Sequence, residues 1–402
     1  MGNPSAKLQT SPETLVNTLN FQYAARDPIR HRAHVGVVSS GDLEVLLEPS
    51  SRAHHALVTV CTSVDGYNEI WKAVLDRFFF RYKGAASIYI NDFGATPGMV
   101  LFRLEQAVTP PRTNPEDKKV DSTEDFSLNS FIELNARERA RTLLDPMTFH
   151  ELLGPFDRIQ SPWLTRQGIV PQSDDGVIVA RGKIDGESAV VIAIEGSFQG
   201  GSIGEVSGSK IAGALDLARK DSERGLPTRA VLLMETGGVR LQEANIGLEV
   251  ISEVHAAVVA LRQYVPVVGV IAGMVGCFGG MAITASLCSY LVMTRQARLG
   301  MNGPEVIEQE AGSDELDSSD RHLIWSVYGG HQRYETGFVD ALVEDDAEII
   351  SNTVREMFRR GLPAENRITQ VERYLTLLDS IDTSKPLDVG RLLERWANRG
   401  SE

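Results

Sequence analysis

Two pairs of adjacent glycines mark the part of this sequence that is best suited to chemistry. Gly237-Gly238 follows an apolar run over residues 231–234, and Gly279-Gly280 follows another over residues 267–271. Each run predicts a strand, and the pattern after each pair predicts a helix, whose first backbone N–H groups have no partners within the helix. Glycine lets a ligand approach those amides closely, and aligned amides favour an oxygen that gains negative charge. The two pairs could therefore form an oxyanion hole.

The same glycines have a simpler explanation, because glycine pairs also permit close packing of a helix against a strand. Polar residues near the pairs do not decide between the two explanations. Glu205, Arg240 and Glu243 could contact a substrate, but they could equally be solvated or cap helices. His255 lies in a mostly apolar helical pattern and is predicted to be packed rather than catalytic. The sequence therefore identifies no proton donor.

A second candidate for chemistry is the hydroxyl of Ser40, in the segment Ser39-Ser40-Gly41-Asp42. Strand-like patterns over residues 33–38 and 43–47 flank this segment, whose residue types are typical of a turn between hairpin strands. A hydroxyl in such a turn is exposed and could carry a covalently attached group. The alternatives are a serine that only satisfies the backbone of the turn, or attachment to the neighbouring Ser39.

Length, charge and cysteine content restrict the class of protein. The 402 residues are enough for two or three domains, and a net charge of −14 disfavours binding to nucleic acid. Cys61, Cys277 and Cys288 are widely spaced and form no C-x-x-C pair, so neither a disulfide framework nor a zinc site is predicted. A reducing, cytoplasmic location is expected, since no signal peptide is evident.

One stretch raises the question of a membrane, because residues 265–293 carry no charge and exceed a spanning length. Pro266 lies near its start, and its interior contains five glycines, at 269, 273, 276, 279 and 280. A buried strand, a glycine turn and a buried helix explain this composition better than a membrane-spanning helix does. No membrane association is expected.

Changes in patterning predict the organisation of the chain. The predicted segments are a loosely ordered lead-in at 1–29, a small α+β domain at 30–107, a linker at 108–127, an α/β domain at 128–345 and C-terminal helices at 346–402. The linker is rich in proline and charge and poor in apolar residues. The second domain repeats strand, glycine turn and helix, which is the order of an α/β core.

Five motifs of the second domain together resemble the carboxyltransferase branch of the crotonase-like fold. They are Ala136-Arg137-Glu138-Arg139 with Leu143-Leu144-Asp145-Pro146, Gly182-Lys183-Ile184-Asp185-Gly186, Gly200-Gly201-Ser202, Thr236-Gly237-Gly238-Val239-Arg240-Leu241-Gln242-Glu243, and Gly279-Gly280. Each motif is weak alone, but together they occur in order over residues 131–343. The resemblance implies a crotonase-like spiral domain whose active site is completed by a second such domain, which this chain lacks.

The first domain resembles the acyl-carrier subunit of malonate decarboxylase. The resemblance rests on Val35-Gly36-Val37-Val38-Ser39-Ser40-Gly41-Asp42-Leu43-Glu44-Val45-Leu46 and on Asn91-Asp92-Phe93-Gly94-Ala95-Thr96-Pro97-Gly98. It implies that Ser40 carries 2'-(5''-phosphoribosyl)-3'-dephospho-coenzyme A through a phosphodiester, as an arm that ends in a thiol. The whole chain then resembles a fusion of the carrier subunit with the β subunit of that enzyme.

This resemblance implies a function and a set of partners. Malonyl held as a thioester on the arm would lose carbon dioxide, with the amides of Gly237, Gly238, Gly279 and Gly280 stabilising the enolate oxygen. A γ subunit would supply the second crotonase-like domain, an α subunit would transfer acyl groups, and a prosthetic-group transferase would load Ser40. Neither a zinc ribbon nor an Ala-Met-Lys-Met biotin site is present in the sequence, which favours the biotin-independent decarboxylase over an ordinary carboxylase. Neither biotin nor a metal is expected as a cofactor.

Two other functions remain open. The chain could be the carboxyltransferase of a biotin-dependent malonate decarboxylase, which passes the carboxyl group to a separate biotin protein. It could instead be a non-catalytic scaffold that docks the carrier beside the site of another subunit. The intact glycine pairs count against the scaffold.

Overall fold

The computed structural model describes residues 16–50, 54–110 and 130–382. Two compact units divide them: the first contains the described residues up to 110 together with Arg158–Asp175, and the second contains residues 130–157 and 176–382. The segment Arg158–Asp175 falls inside the predicted α/β domain, but it packs with the first unit. Residues 1–15 of the predicted lead-in and residues 111–127 of the predicted linker lie outside the described residues.

The first unit contains one mixed sheet. Its strands are β1 (Asn17–Ala24), β2 (Asp27–Pro28), β3 (Ala33–Val35), β4 (Leu43–Pro49), β5 (His55–Thr62) and β6 (Gly84–Asp92). The order is β1-β5-β6-β4-β3, with β2 paired to β6. Strand β6 is parallel to β5 and antiparallel to β4. As a result the start of β4 and the ends of β5 and β6 lie side by side at one edge of the sheet.

Strand β1 corrects the predicted lead-in, since it lies inside the region that was expected to be loosely ordered. It pairs with β5 over all eight of its residues. Its alternate side chains Leu19, Phe21 and Tyr23 pack on the core of the unit, and the ring of Tyr23 stacks on Phe79 with centroids 4.2 Å apart. In the sequence the apolar residues of β1 alternate with polar ones, so the face that packs on the core is easily missed.

Two helices cover one face of this sheet. Helix α1 (Asn68–Arg81) buries five side chains, namely Trp71, Val74, Leu75, Phe78 and Phe79. Helix α2 (Pro97–Val108) begins with proline at its first position, and the side chain of Thr96 accepts a hydrogen bond from Met99 N. The prediction of a small α+β unit is therefore confirmed.

The second unit is built on a seven-stranded sheet. Its strands are β7 (His150–Leu152), β8 (Val177–Ile184), β9 (Glu187–Ile194), β10 (Arg229–Leu233), β11 (Val267–Ile271), β12 (Tyr290–Thr294) and β13 (Ala341–Val343). They lie side by side in chain order, antiparallel from β7 to β9 and parallel from β9 to β13. The carboxyl ends of the parallel strands therefore share one edge, where ligand sites of α/β proteins form.

Helices cover both faces of the second sheet. The described helices of the second unit are α3 (Ala136–Leu143), α4 (Glu205–Glu223), α5 (Asn245–Leu261), α6 (Gly280–Leu287), α7 (Pro304–Ala311), α8 (Arg321–Tyr328), α9 (Gly330–Glu335), α10 (Ala347–Arg360) and α11 (Val371–Asp379). Helices α4, α5 and α6 pack on one face, and α3 and α10 pack on the other. The C-terminal helix α10 thus covers its own sheet.

The uncharged stretch over residues 265–293 contains strand β11, helix α6 and most of strand β12. Helix α6 has only eight residues, which is far short of a membrane-spanning length. Among the described residues, no helix combines the length and apolar character needed to cross a membrane.

Helix α5 begins later than predicted. The glycine pair Gly237-Gly238 is followed by a 3-10 turn at Leu241–Glu243 and by Ala244, whose φ of 47° is incompatible with a continuous helix. The helix therefore starts at Asn245, and the first glycine pair does not open a helix. The second pair does, because Gly280 is the first residue of α6.

Candidate functional site

The two glycine pairs lie against each other at the carboxyl ends of β10 and β11. Thr236 N donates to Gly276 O at 2.8 Å, and Phe278 N donates to Thr236 O at 3.0 Å. A Cβ on Gly238 would lie 3.0 Å from Phe278 O, and Gly238 has a φ of 104°. Only glycine meets both conditions without strain. The sequence predicted that both pairs contribute to one site, and their positions bring them together.

Three of the four glycine amides already have acceptors. The acceptors are Gly200 O at 2.9 Å for Gly237, the hydroxyl of Thr236 at 3.0 Å for Gly238, and Met301 O at 2.8 Å for Gly279. Gly280 N is different, because no acceptor for it lies among the described residues. It is also the first amide of a helix and belongs to a partly exposed residue. An incoming oxygen can therefore bind at Gly280 without displacing an existing hydrogen bond.

A further amide lies close to the second glycine pair. Val239 N has no acceptor in the part of the chain that the structure describes, and it lies 4.0 Å from the position of a Cβ on Gly279. Val239 is partly exposed. The sequence analysis did not single out Val239, because its side chain carries no chemistry and only the backbone is involved.

His255 supports the second glycine pair. His255 lies on helix α5 and is partly buried, and its Nε2 donates to Gly280 O at 2.8 Å. The prediction that His255 is packed rather than catalytic is consistent with this contact, but its link to the glycine turn was not foreseen. Such a bond holds the first turn of α6 by its carbonyl while leaving the amide of the same residue available.

Arg240 and Glu243 are structural in this arrangement. Both side chains are fully buried and form an ion pair at 3.0 Å. Glu243 also accepts a hydrogen bond from Glu205 N at 2.6 Å, which caps helix α4, and Arg240 donates to Ser202 O at 3.0 Å. The sequence left open whether these residues are solvated or cap helices. Glu243 caps a helix, and neither Arg240 nor Glu243 is solvated.

A second buried pair holds the loop before Gly279-Gly280. Arg139 pairs with Glu235 and donates to the carbonyl oxygens of Phe131 and Ile132, at 2.9 and 2.6 Å respectively. Glu235 in turn accepts from Val275 N at 3.3 Å. Arg139 belongs to the Ala-Arg-Glu-Arg motif, so this motif positions the site without contributing a group to it.

In the first unit, Ser40 lies in a tight turn at the edge of the sheet. Asp42 N donates to Ser39 O at 2.9 Å, and Gly41 N donates to Phe93 O at 3.1 Å. Gly41 has a φ of 78°, which favours glycine after the serine. Ser40 is exposed, and its hydroxyl has no hydrogen-bond partner among the described residues. The predicted turn is confirmed, and the hydroxyl is accessible for attachment.

An ion pair fixes this turn to helix α2. The guanidinium of Arg103 donates to both carboxylate oxygens of Asp42, at 2.9 and 2.6 Å. Asp42 also accepts from Leu43 N at 2.8 Å. A bidentate pair of this kind adds geometric definition as well as energy, so the turn has a fixed orientation.

The segment Arg158–Asp175 braces the strands on either side of the same turn. The carboxylate of Glu44, which is fully buried, accepts hydrogen bonds from His34 Nε2 at 2.9 Å, Asn91 Nδ2 at 2.7 Å, Ser173 N at 3.0 Å and Ser173 Oγ at 2.8 Å. Gln172 Oε1 accepts from Val38 N at 3.2 Å. Because a buried carboxylate is costly unless its oxygens are satisfied, Ser173 is part of what allows Glu44 to be buried.

Two protein-family models match the chain. The family model described as malonate decarboxylase delta subunit (MdcD) matches residues 30–110, and the carboxyl transferase domain model matches residues 133–401. The chain belongs to the carboxyltransferase family. It joins to this domain an acyl-carrier domain of the malonate decarboxylase type. The predicted architecture, a carrier domain followed by a crotonase-like carboxyltransferase domain, is therefore confirmed.

Individual relatives support both halves. Malonyl-S-ACP:biotin-protein carboxyltransferase MADC of Malonomonas rubra is 38% identical, covering 68% of this chain and 90% of the relative. The malonate decarboxylase acyl carrier protein of Stutzerimonas stutzeri is 49% identical, covering 23% of this chain and 94% of the relative. A chain of the Pseudomonas malonate decarboxylase hetero-tetramer, crystallised with malonate, is 59% identical with a TM-score of 0.66, covering 67% of this chain and 98% of that one.

Proposed function

We propose that this chain acts as the carrier and β subunit of a biotin-independent malonate decarboxylase. It releases carbon dioxide from a malonyl thioester held on its own carrier domain, which makes it a component of a carbon–carbon lyase. One observation carries the proposal: the free amide of Gly280 lies where the two glycine pairs meet, in a chain that also presents the exposed hydroxyl of Ser40.

The reaction requires that electrons move from a carbon–carbon bond onto an oxygen. The bond between the methylene carbon and the carboxylate breaks, carbon dioxide leaves, and the electron pair forms an enolate whose negative charge lies on the thioester oxygen. Hydrogen bonds from Gly280 N and Val239 N stabilise that oxygen, and each well-placed donor contributes on the order of 3 kcal/mol. A proton then adds to the methylene carbon and gives the acetyl thioester.

Gly237, Gly238 and Gly279 have a different role in this proposal from the one predicted. Their amides are engaged, so their contribution is the close approach of the two turns rather than direct donation. Gly280 keeps the predicted role. We thus assign the oxyanion hole to Gly280 N, in the second glycine pair, and to Val239 N, which directly follows the first pair.

We assign the covalent arm, 2'-(5''-phosphoribosyl)-3'-dephospho-coenzyme A, to Ser40. The residues fit such a group, because the hydroxyl is exposed and the turn is fixed through Asp42 and Arg103. The arm supplies a thiol that carries the acyl group. The chain's own contribution is to hold the attachment oxygen on a rigid support, which limits the region that the thiol can search.

Independence from biotin is supported by comparing the sequence identities of this chain to two of its relatives. Identity is 59% to the malonate decarboxylase chain and 38% to the carboxyltransferase that acts with a biotin protein. The proposed partners are a γ subunit with the second crotonase-like domain, an α subunit that exchanges acyl groups, and a prosthetic-group transferase, all in the cytoplasm.

A reconstitution experiment tests this function. Mixed with the γ subunit, the loaded chain is expected to form a stable complex and to convert a malonyl thioester to an acetyl thioester without any biotin protein. Either component alone is expected to be inactive, because each supplies only one wall of the site. The products are followed by mass spectrometry of the acyl group. Turnover that requires a biotin protein would favour the carboxyltransferase, and turnover by the isolated monomer would remove the need for a partner.

His255 is expected to influence the rate by positioning Gly280. Substitution His255→Leu removes one hydrogen bond, which is worth about 0.5–1.5 kcal/mol, so decarboxylation by the complex should slow by roughly 3- to 10-fold. Substitution His255→Gln keeps a side-chain donor and should restore most of the rate. The loss should appear in kcat, while KM for malonyl-coenzyme A changes little. Equal rates for the Leu and Gln variants would remove His255 from this role.

A further inference from the structure

The first unit contains a cavity of about 270 Å³ beside the turn that carries Ser40. It lies between the N-terminal ends of α1 and α2, and Asp92 and Gly94 contribute to its wall. Phe93, between these two residues, accepts the hydrogen bond from Gly41 N at 3.1 Å. With successive Cα atoms about 3.8 Å apart, Ser40 is on the order of 10 Å from the cavity wall.

The lining combines aromatic rings with one buried carboxylate. Trp71 is almost buried and Tyr67 is 47% exposed, while most of the remaining lining is aliphatic. Asp92 is only 3% exposed and accepts from Thr62 Oγ1 at 2.8 Å and from Ala95 N at 2.9 Å. The backbone of Gly94 also hydrogen-bonds to this carboxylate, which leaves about one of its roughly four acceptor positions for a further donor. Burial disfavours the charged carboxylate and thereby raises the pKa of Asp92 above its usual value. A further hydrogen-bond donor would stabilise the ionised form.

The chemistry of the lining excludes the charged parts of the arm. None of the described residues that line the cavity is a lysine, an arginine or a histidine. A diphosphate or a malonyl carboxylate would therefore be desolvated without a counter-charge and beside the carboxylate of Asp92, which is unfavourable. The volume is also slightly below the roughly 300–1,000 Å³ of sites for drug-sized ligands, which suits a single ring system.

We propose that this cavity binds the adenine ring of the arm on Ser40. The inference rests on the proposed function, because it needs that arm. Only the phosphoribosyl group separates the attachment oxygen from the adenosine, so the adenine is near Ser40 and the thiol is at the far end. The base stacks on Tyr67 and Trp71, and its exocyclic amine donates to Asp92. The tether makes even weak binding effective.

This anchor has a consequence for acyl transfer. Once the adenine is bound, the diphosphate and pantetheine parts extend from a fixed point on the carrier surface. The thiol then searches a smaller volume than it would from a freely rotating arm. The acyl group itself remains outside the cavity, in both its malonyl and its acetyl form.

Fluorine NMR on the chain produced without its transferase provides the first test. The tryptophans are replaced by 5-fluorotryptophan, and the Trp71 signal is assigned from a Trp71→Phe sample. Adenosine at millimolar concentration is expected to shift the Trp71 signal, whereas pantetheine is not. Purine riboside, which lacks the exocyclic amine, should bind several-fold more weakly. An adenosine titration that leaves the Trp71 signal unchanged would count against the cavity.

Variants separate stacking from a general effect on helix α1. Substitution Tyr67→Ala should weaken adenosine binding about fivefold or more, since it removes a stacking surface. The control substitution Phe80→Ala removes an aromatic ring that is 82% exposed on helix α1, which Tyr67 directly precedes, and should have no effect. Substitution Asp92→Asn should remove the preference for adenosine over purine riboside. If the Asp92 variant does not fold, the comparison of Tyr67 with Phe80 still decides the matter.

The intact mass of the chain distinguishes a failure of this inference from a failure of the proposed function. If the loaded chain shows the mass of the arm and loading shifts the Trp71 signal in the direction that adenosine does, both hold. If the arm is present and Trp71 responds neither to loading nor to adenosine, the cavity is not its site, while the proposed function stands. If no mass is added at Ser40 in the presence of the transferase, the proposed function fails and this inference fails with it.

Discussion

Substitution Ser40→Ala is expected to abolish both the mass increment of the arm and the decarboxylation of free malonate by the assembled enzyme. The chemistry depends on one oxygen atom, which this change removes. The side chain is exposed and has no partner among the described residues, so the free energy of unfolding should change by no more than about 0.5 kcal/mol. Intact mass and thermal unfolding of the same samples measure the two effects. Malonyl-coenzyme A should still be decarboxylated, because the glycine turns are intact.

Ser39→Ala is the matched control for this experiment. Ser39 neighbours the proposed attachment site, and its backbone closes the turn by accepting from Asp42 N at 2.9 Å. Its variant should keep the turn, acquire the arm and decarboxylate malonate normally. If the Ser40→Ala variant acquires the arm and the Ser39→Ala variant does not, the attachment site is Ser39.

Substitution Gly280→Pro is expected to lower kcat for decarboxylation by about 10²- to 10³-fold in the complex with the γ subunit. Gly280 is the first residue of α6, a position where proline is well tolerated in helices. Proline therefore removes one of the two amide hydrogens proposed to bind the enolate oxygen, while the carbonyl that accepts from His255 is retained. Because the interaction forms only in the transition state, kcat should fall far more than KM changes.

Gly280→Ala separates loss of the amide from steric crowding. An added Cβ would lie 2.8 Å from Ile251 Cγ2 in either variant, but alanine keeps the N–H group. A second control is Gly213→Ala on helix α4, where the added methyl group has no neighbour within 4 Å. The proline variant should be much slower than the alanine variant, and the Gly213 variant should match the unmodified chain. Equal activity of the proline and alanine variants would exclude Gly280 N as a donor.

Much of this architecture can be predicted from local patterns. The Ser-Gly-Asp turn, the strand at Val267–Ile271 and the α/β character of the second unit follow from apolar periodicity and from glycine at turns. These features depend on residues that are near one another in the chain. The ordered glycine motifs also indicated the carboxyltransferase family, which the comparison confirmed. The sequence by itself thus determined the α/β and α+β character of the two units and many of their elements, and it proposed two places for chemistry.

The tertiary structure decided how those places are built. No local pattern indicates that the amides of Gly237 and Gly279 are taken by Gly200 O and Met301 O, since these acceptors come from other segments of the chain. Among the described residues Gly280 N has no such acceptor. His255 reaches Gly280 across 25 positions of sequence, and Ser173 reaches Glu44 across 129. Such contacts depend on side chains that packing brings together from distant positions, whereas periodicity reports only which face of an element is buried.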